Sequence, residues 1–373
     1  MANTIDGDAL RGRVARLREA GARAGVDALL ITPGSDLRYL IGAGGESHER
    51  LTCLVLSTVD AATTLVVPKL EYPGYAGLGL ADIGVEAVTW VDGENPHAIV
   101  AKLLGGNARR VAVADAMPAL HVLPLRRELP ESEQVLAAPV LRELRMRKDT
   151  EEIEQLAVAG AAIDRVHANM ARWLRRGRTE AEVGADIGAA IVAEGHSRAD
   201  FVIVGSGPNG ASPHHDVSDR VIEPGDVVVV DIGGPIGSGY NSDSTRTYSM
   251  GEPSAEVSQV YAVLRAAQQA AVDAVRPGAS AESIDAAARE PIAAAGYGEY
   301  FIHRTGHGIG LDVHEEPYIV GGNTTPIEAG IAFSVEPGIY FPGRWGARIE
   351  DIVVATAGGV RRLNDQPHEL VVL

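Results

Sequence analysis

Cysteine is nearly missing from this 373-residue chain: Cys53 stands alone, so no internal disulfide can form and a reducing compartment fits best. Long apolar runs are missing too. No stretch approaches the roughly 18 apolar residues that a membrane-spanning helix needs. Residues 1–13, which include Asp6, Asp8, Arg11 and Arg13, lack the apolar core of a secretory signal. Together these shortages predict a cytoplasmic protein that makes no use of a membrane. Basic residues are the third shortfall, with 33 Lys and Arg against 50 Asp and Glu, a formal net charge of −17. Nucleic-acid binding relies on neutralising phosphates, so this balance argues against nucleic acid as a partner. It favours solubility and raises the concentration of cations near the surface.

What is present is ordinary globular material. Apolar residues make up 46% and charged residues 22%, enough to bury a core without staples, and the length suggests two or three domains. Up to about residue 130, short apolar runs alternate with helical patterns: a helix over 10–24 and strands at 27–32, 51–56, 64–67 and 111–114. That is α/β material. Residues 129–140 turn rich in proline and charge. A helical run then starts near 149–152, with Asp149 or Thr150 as N-cap and acidic residues in its first turn. The boundary is therefore expected between 135 and 145, giving domains over 1–140 and 141–373.

The second part contains an internal repeat. The segments GRTEAEVGADIGAAIVAEGH from Gly177 and GASAESIDAAAREPIAAAGY from Gly278 each put a turn or cap residue before a helix. Each closes on glycine, Gly195 and Gly296, 18 positions later. Further on, EPGDVVVVD (223–231) aligns with EAGIAFSVE (328–336): E-x-G, an apolar run, a carboxylate. Offsets of 101 and 105 mark one duplicated unit with small insertions.

The repeat ends in each half on a hairpin pattern with acidic residues. After Asp231, GGPIGSG leads into YNSDSTR, with a turn expected near 235–239. Folding about position 237 sets Asp231 opposite Asp243; in the second half, folding about Gly343 sets Glu336 opposite Glu350. Carboxylates facing each other on paired strands lie roughly 5 Å apart and repel. Their apolar flanks, 227–230 and 331–335, make burial of unpaired charge more costly still. A shared proton or an arginine would relieve one pair. Four carboxylates from two related hairpins in one pocket are better balanced by divalent cations, although any one of them alone reads as an ordinary strand-end residue.

Histidines gather nearby in sequence. His303, His307 and His314 fall within twelve positions, among glycines that let backbone approach a ligand. His303 and His307 have the nominal spacing of a helical zinc motif, but Gly306, Gly308 and Gly310 argue against a helix. His214 and His215 sit in the loop SPHHD before the first hairpin. An oxygen-rich set with one imidazole suits Mn²⁺, Co²⁺, Fe²⁺ or Zn²⁺. Two such ions, about 3.5–4 Å apart, can bridge a hydroxide near neutral pH and polarise a carbonyl, so hydrolysis needs no serine or cysteine nucleophile. Neutral histidines beside them can donate to an oxyanion or pass a proton to the leaving nitrogen.

The segments VVVVDIGG, YNSDSTRT, HRTGHGIGLDVHEEP, SVEPGIY and RIED, in this order, resemble the pita-bread metallopeptidases, the group of methionine aminopeptidase, aminopeptidase P and prolidase. The resemblance covers about 150–373. With an α/β domain ahead of it, the chain looks like the Xaa-Pro peptidase branch. The implied fold class is α+β: a pita-bread (creatinase/aminopeptidase) domain with pseudo-twofold duplication, preceded by a smaller α/β creatinase-like N-terminal domain. Carried over by position, the resemblance implies Asp231, Asp243, His307, Glu336 and Glu350 as ligands of two divalent metal ions, Mn²⁺ first, with Co²⁺, Zn²⁺ and Fe²⁺ as alternatives. Asp243 and Glu350 would bridge the ions, Asp231 would complete one site, and His307 with Glu336 the other. His214, His303 and His314 match histidines that contact substrate or move protons, and Glu336 is implied in proton transfer as well. Arg348 matches an arginine that orients the site, a role extended to Tyr340. The loop between Asp231 and Asp243 is one residue longer than the family pattern and carries Pro235, which predicts a bulge.

The activity implied is hydrolysis of Xaa-Pro dipeptides from the free amino end. The N-terminal domain is shorter than is usual for aminopeptidase P, and Glu336 and Glu350 are closely spaced, as in prolidase-like members. The nearest alternative is aminopeptidase P acting on longer peptides. A metal-independent creatinase-like amidinohydrolase and a non-catalytic binding module are further alternatives, and the intact set of five ligand types argues against both. A short peptide substrate with proline after the scissile bond, and a homodimer, complete the expectation.

Overall fold

The computed structural model describes residues 6–106 and 108–373, so residues 1–5 of the amino-terminal stretch lie outside the described residues. The chain divides into two compact units, Met1–Arg145 and Met146–Leu373. No helix among the described residues is long and apolar enough to cross a membrane.

The first unit is built on six strands: Ala28–Ile31 (β1), Cys53–Ser57 (β2), Thr63–Pro68 (β3), Glu86–Trp90 (β4), Arg110–Val113 (β5) and Glu133–Leu136 (β6). They form one sheet in the order β4-β3-β2-β1-β5-β6. Its β1–β2 and β2–β3 pairs are antiparallel and the remainder parallel. Strands β1 to β3 are buried along almost their whole length, so they carry continuous apolar runs instead of an alternation. Helix Gly7–Arg23 buries Leu10, Val14, Leu17 and Ala20, the three-and-four spacing of one helical face.

The second unit repeats a helix pair and a sheet. Helix Thr150–Ala168 opens on a capping box between Asp149 and Glu152, which satisfies two backbone donors reciprocally and is the N-cap that the acidic first turn predicts. Its counterpart Ala255–Asp273 has the same 19-residue length. The second helices of each half, Glu180–Ala193 and Ala281–Ala294, are both 14 residues long and are capped by Thr179 and Ser280. Gly177 and Gly278 sit at φ 83° and 88°. Each donates its N–H at 2.9 Å to the carbonyl of an isoleucine just before the E-x-G turn, Ile222 and Ile327. The duplication seen in spacing is thus one of backbone conformation too.

Strands Phe201–Ser206 (β7), Val227–Pro235 (β8), Asn241–Ser249 (β9) and the terminal Val371–Val372 form the first sheet of this unit. The other half contains Gly306–Gly308 (β10), Glu315–Ile319 (β11), Ala332–Val335 (β12), Gly338–Phe341 (β13), Trp345–Arg348 (β14) and Asp351–Thr356 (β15). Along β8, Val228, Val230 and Ile232 pack with Ile163, Val183 and Ile187 of the helices. Alternation along the strand turns Asp231 to the other face. Along β12, Phe333 and Val335 join Leu264, Ile284 and Val353 in a second core, which turns Ser334 away from it. The two cores leave one face of each hairpin for the carboxylates.

Candidate functional site

The first hairpin differs from its expected register. Strands β8 and β9 pair without a break from Val227↔Ser249 to Pro235↔Asn241, so the turn runs through 236–240 and no bulge forms. Asp231 faces Thr245 and Asp243 faces Gly233, correcting the expected Asp231–Asp243 pair. The extra residue is absorbed in the turn, where Ile236 N–H bonds Tyr240 O at 3.0 Å and Gly239 N–H bonds Ile236 O at 2.8 Å. Moving the fold axis by one position shifts each partner by two, so the face is unchanged. Both aspartates remain on one side as diagonal neighbours. In the second half the axis through Gly343 holds: Gly338↔Arg348 and Val335↔Asp351 flank the position of Glu336 and Glu350.

The five acidic and imidazole residues meet. Ligand atoms of Asp243, His307 and Glu350 lie within 4.8 Å of one another, and all three residues are buried. His307 Nε2 is 3.5 Å from Asp243 Oδ2 and 3.2 Å from Glu336 Oε1. The other ring nitrogen, Nδ1, lies 3.1 Å from Gly308 O. A carbonyl can only accept, so Nδ1 is the protonated nitrogen whenever the ring carries a single proton, and Nε2 is then the atom open to a cation. The glycines do place this segment in an extended strand, β10, where Gly306 and Gly308 pass so close to Ser334 O and Glu316 O that a side chain would collide.

Arg348 ties the cluster together. Its Nη2 donates to Asp231 Oδ2 at 2.6 Å, its Nη1 to Tyr340 Oη at 2.7 Å and its Nε to Thr245 Oγ1 at 3.1 Å. Thr245 in turn donates to Glu350 Oε2 at 2.7 Å. Tyr340 Oη, already accepting from Arg348, donates to His303 Nε2 at 2.9 Å, while His303 Nδ1 donates to Arg304 O at 2.7 Å. Both nitrogens of His303 are therefore engaged. His314 stands edge-on to His307, ring centroids 4.2 Å apart. His214 is exposed on its loop. All three of these histidines line one cleft of about 840 Å³, together with the four carboxylates and Arg348.

Burial, and then the repulsion of neighbouring carboxylates, pushes Asp243 and Glu350 well above the ordinary carboxylate range. Asp231 moves the same way, burial outweighing the nearby Arg348. For Glu336 burial is outweighed by the hydrogen bond and charge of His307, helped by His303 and Arg348, and its carboxyl falls to about 2. Partial burial, then His307 and Arg304, push the His314 imidazole down to about 4. The crowd of negative charge is thus strained, and two of its oxygens, Asp231 Oδ1 and Glu350 Oε1, are buried without a hydrogen-bond partner. Such atoms cost free energy. Buried oxygens of this kind, beside the Nε2 of His307, fit hard or borderline divalent cations.

Two hydroxyls in the cluster escaped sequence reasoning. Thr245 lies two positions after Asp243, and Ser334, which bonds both His307 N–H and Glu336 Oε1 at 3.0 Å, lies two before Glu336. The period of two was the available signal, since strand neighbours at that spacing share a face. Two helix carboxylates also went unnoticed. Glu180 accepts from Ser206, Ser218 and His215, pinning the SPHHD loop. Asp285 accepts from Thr305 and Arg289, pinning the segment that carries His303 and His307.

Comparison with known proteins identifies the family. Residues 154–357 match the model of metallopeptidase family M24, and residues 13–147 match the creatinase/prolidase N-terminal domain. A probable dipeptidase PepE of Mycobacterium tuberculosis is 56% identical over 99% of this chain and 98% of its own length. An Xaa-Pro dipeptidase of Lactobacillus delbrueckii subsp. lactis is 35% identical over 94% and 95%. The crystal structure of dipeptidase PepE from Mycobacterium ulcerans superposes with a TM-score of 0.94 at 58% identity, covering 99% of both chains. The chain therefore belongs to metallopeptidase family M24, a hydrolase with a pita-bread catalytic domain behind a creatinase-type N-terminal domain.

Proposed function

We propose that this enzyme hydrolyses short peptides from the free amino end, Xaa-Pro dipeptides first, with two divalent metal ions, Mn²⁺ foremost. One observation carries the reading: Asp231, Asp243, His307, Glu336 and Glu350 converge in one cleft, with Asp231 Oδ1 and Glu350 Oε1 unpartnered. The dipeptidase and Xaa-Pro dipeptidase names of its relatives support the substrate class. When bound, two such ions supply a water nucleophile of lowered pKa and polarise the scissile carbonyl.

The chain's own residues hold and orient. In this reading Asp231, Asp243, His307 through Nε2, Glu336 and Glu350 would hold the two ions, with Asp243 and Glu350 contributing to both sites. Arg348 fixes the Asp231 carboxylate and Tyr340 in one geometry. Glu336, ionised at neutral pH, is placed to accept a proton. His314, neutral at pH 7, is suited to relay one toward the leaving nitrogen. His214 contacts substrate from its exposed loop. His303, bonded at both nitrogens, acts through Tyr340 and through its ring surface. The single buried Cys53 supports a cytoplasmic setting, and a homodimer belongs to the same reading, to be checked by light scattering.

The test is an assay of Ala-Pro, Gly-Pro, Ala-Ala and a proline-containing tripeptide with added Mn²⁺, beside elemental analysis. Turnover of the Xaa-Pro dipeptides that disappears on chelation and returns with Mn²⁺ is expected, with two transition-metal ions per chain. Faster cleavage of the tripeptide would move the enzyme to aminopeptidase P. Activity indifferent to chelation, or confined to creatine, would end the peptidase reading.

A further inference from the structure

The cleft is lined by Asp200, Asp216, Asp231, Asp243, Glu336 and Glu350, but by only two guanidinium groups, Arg304 and Arg348. Arg348 is committed to Asp231 and Tyr340. Arg304 is half-buried, and among the described residues no carboxylate lies within ion-pair distance of it. Its guanidinium carbon stands 4.4 Å from the centroid of the Tyr318 ring. Tyr318 is the β11 residue directly opposite His307, and residues directly opposite in an antiparallel pair project from the same face. The stacked pair is therefore built beside His307. A guanidinium held over a ring in this way still has its N–H groups to offer a planar anion.

We propose that Arg304, held over the Tyr318 ring, receives the free C-terminal carboxylate of a dipeptide and thereby sets the length of peptide the cleft accepts. The inference rests on the peptidase reading of the same cleft. In a dipeptide cut from the amino end, the carboxylate follows the scissile bond by one residue. A longer peptide presents an uncharged amide at that point, which cannot form the charge-assisted, two-pronged bond that guanidinium offers. The other charged side chains on the wall are carboxylates and the committed Arg348, apart from the histidines, so one unpaired guanidinium can decide between the two.

The experiment compares Ala-Pro with Ala-Pro-amide as substrates of the Mn²⁺-loaded enzyme and of Arg304→Ala, Arg304→Gln and Arg304→Lys, with metal content measured for each. The wild type is expected to favour the free acid by about 10-fold or more in kcat/KM, the size of a bond to a charged group. Arg304→Ala and Arg304→Gln should lose that preference, mainly through KM for the free acid, while metal content stays at the wild-type level. Arg304→Gln keeps a flat group against Tyr318, so it reports on charge even where the alanine variant folds poorly. Arg304→Lys should keep part of the preference. Variants that still discriminate as the wild type does overturn the proposal. Equal turnover of acid and amide by the wild type overturns it while leaving a peptidase; turnover of neither overturns both readings.

Discussion

Asp243 shows how one residue's environment sets its task. Its carboxyl is pushed well above the ordinary range by burial and then by Asp231 and Glu336, so a proton or a cation must share the space. Asp243→Asn mimics the protonated state and removes one of four crowded charges. It should lower turnover by more than the roughly 100-fold typical of changes to outer-shell partners of a metal ligand. The metal-free variant should melt at or above the wild-type temperature, because like-charge repulsion has been relieved. Elemental analysis and thermal melts with and without chelator check both halves. Unchanged turnover with unchanged metal content would remove Asp243 from the ligand set. The types of the site residues were legible in the sequence because a carboxylate that closes an apolar strand is costly to bury unless a cation or a donor compensates it. Thr245 and Ser334 were not, because a hydroxyl on a strand is commonplace and only its neighbours show what it bonds.

At the scale of elements, the active loops are anchored by helices that never touch the cleft. Glu180 opens helix Glu180–Ala193, and its buried Oε2 accepts from His215 Nε2 at 2.8 Å and Ser218 Oγ at 2.6 Å. Glu180→Gln would place a donor against donors, costing about 1–3 kcal/mol, and would loosen the loop that carries His214. KM should rise more than kcat falls, with metal content unchanged. Burial alone would raise the Glu180 carboxyl, but the hydrogen bonds from Ser206, Ser218 and His215 outweigh it and the net shift is downward. A depressed folded pKa stabilises fully above the unfolded value, about 4.3, and that contribution is lost as pH falls through the folded value. The stability gap between wild type and Glu180→Gln should therefore be widest near pH 6 and shrink below pH 4. Urea melts at both pH values measure it, and a gap that widens in acid would contradict the clamp.

What the sequence withheld at this scale has physical causes. Strands β4 and β6 carry EAVTW and EQVL and are partly exposed, so neither presents the apolar run that marks β1 to β3. The first hairpin's register was misjudged by one turn position because GGPIGSG offers several places to reverse, and glycine favours none of them. The second hairpin was legible because Gly343 alone, at φ 74°, stands at its reversal.

For the whole molecule, the site is where two duplicated halves of the second unit meet, and their junction is made of mutually repelling charge. Strand β8 of one half supplies Asp231 and β9 supplies Asp243, while Glu336 and Glu350 flank the ends of β12 and β15 in the other. Between them run Arg348 to Asp231 and Thr245 to Glu350, the latter reinforced by Glu350 N–H bonding Thr245 O at 3.1 Å. These bonds hold the halves together, and bound cations would convert the remaining repulsion into attraction. Metal that binds only the folded state stabilises by mass action, about 2.7 kcal/mol when free metal is at 100 times its dissociation constant. Chelation should therefore lower the melting temperature and speed amide exchange in β8, β9, β12 and β15. Exchange in β1 to β3, strands of the other unit, should change far less. A uniform increase over both units would mean that chelation destabilises the chain as a whole, and unchanged exchange at β8 and β12 would mean that cations do not fasten the two halves.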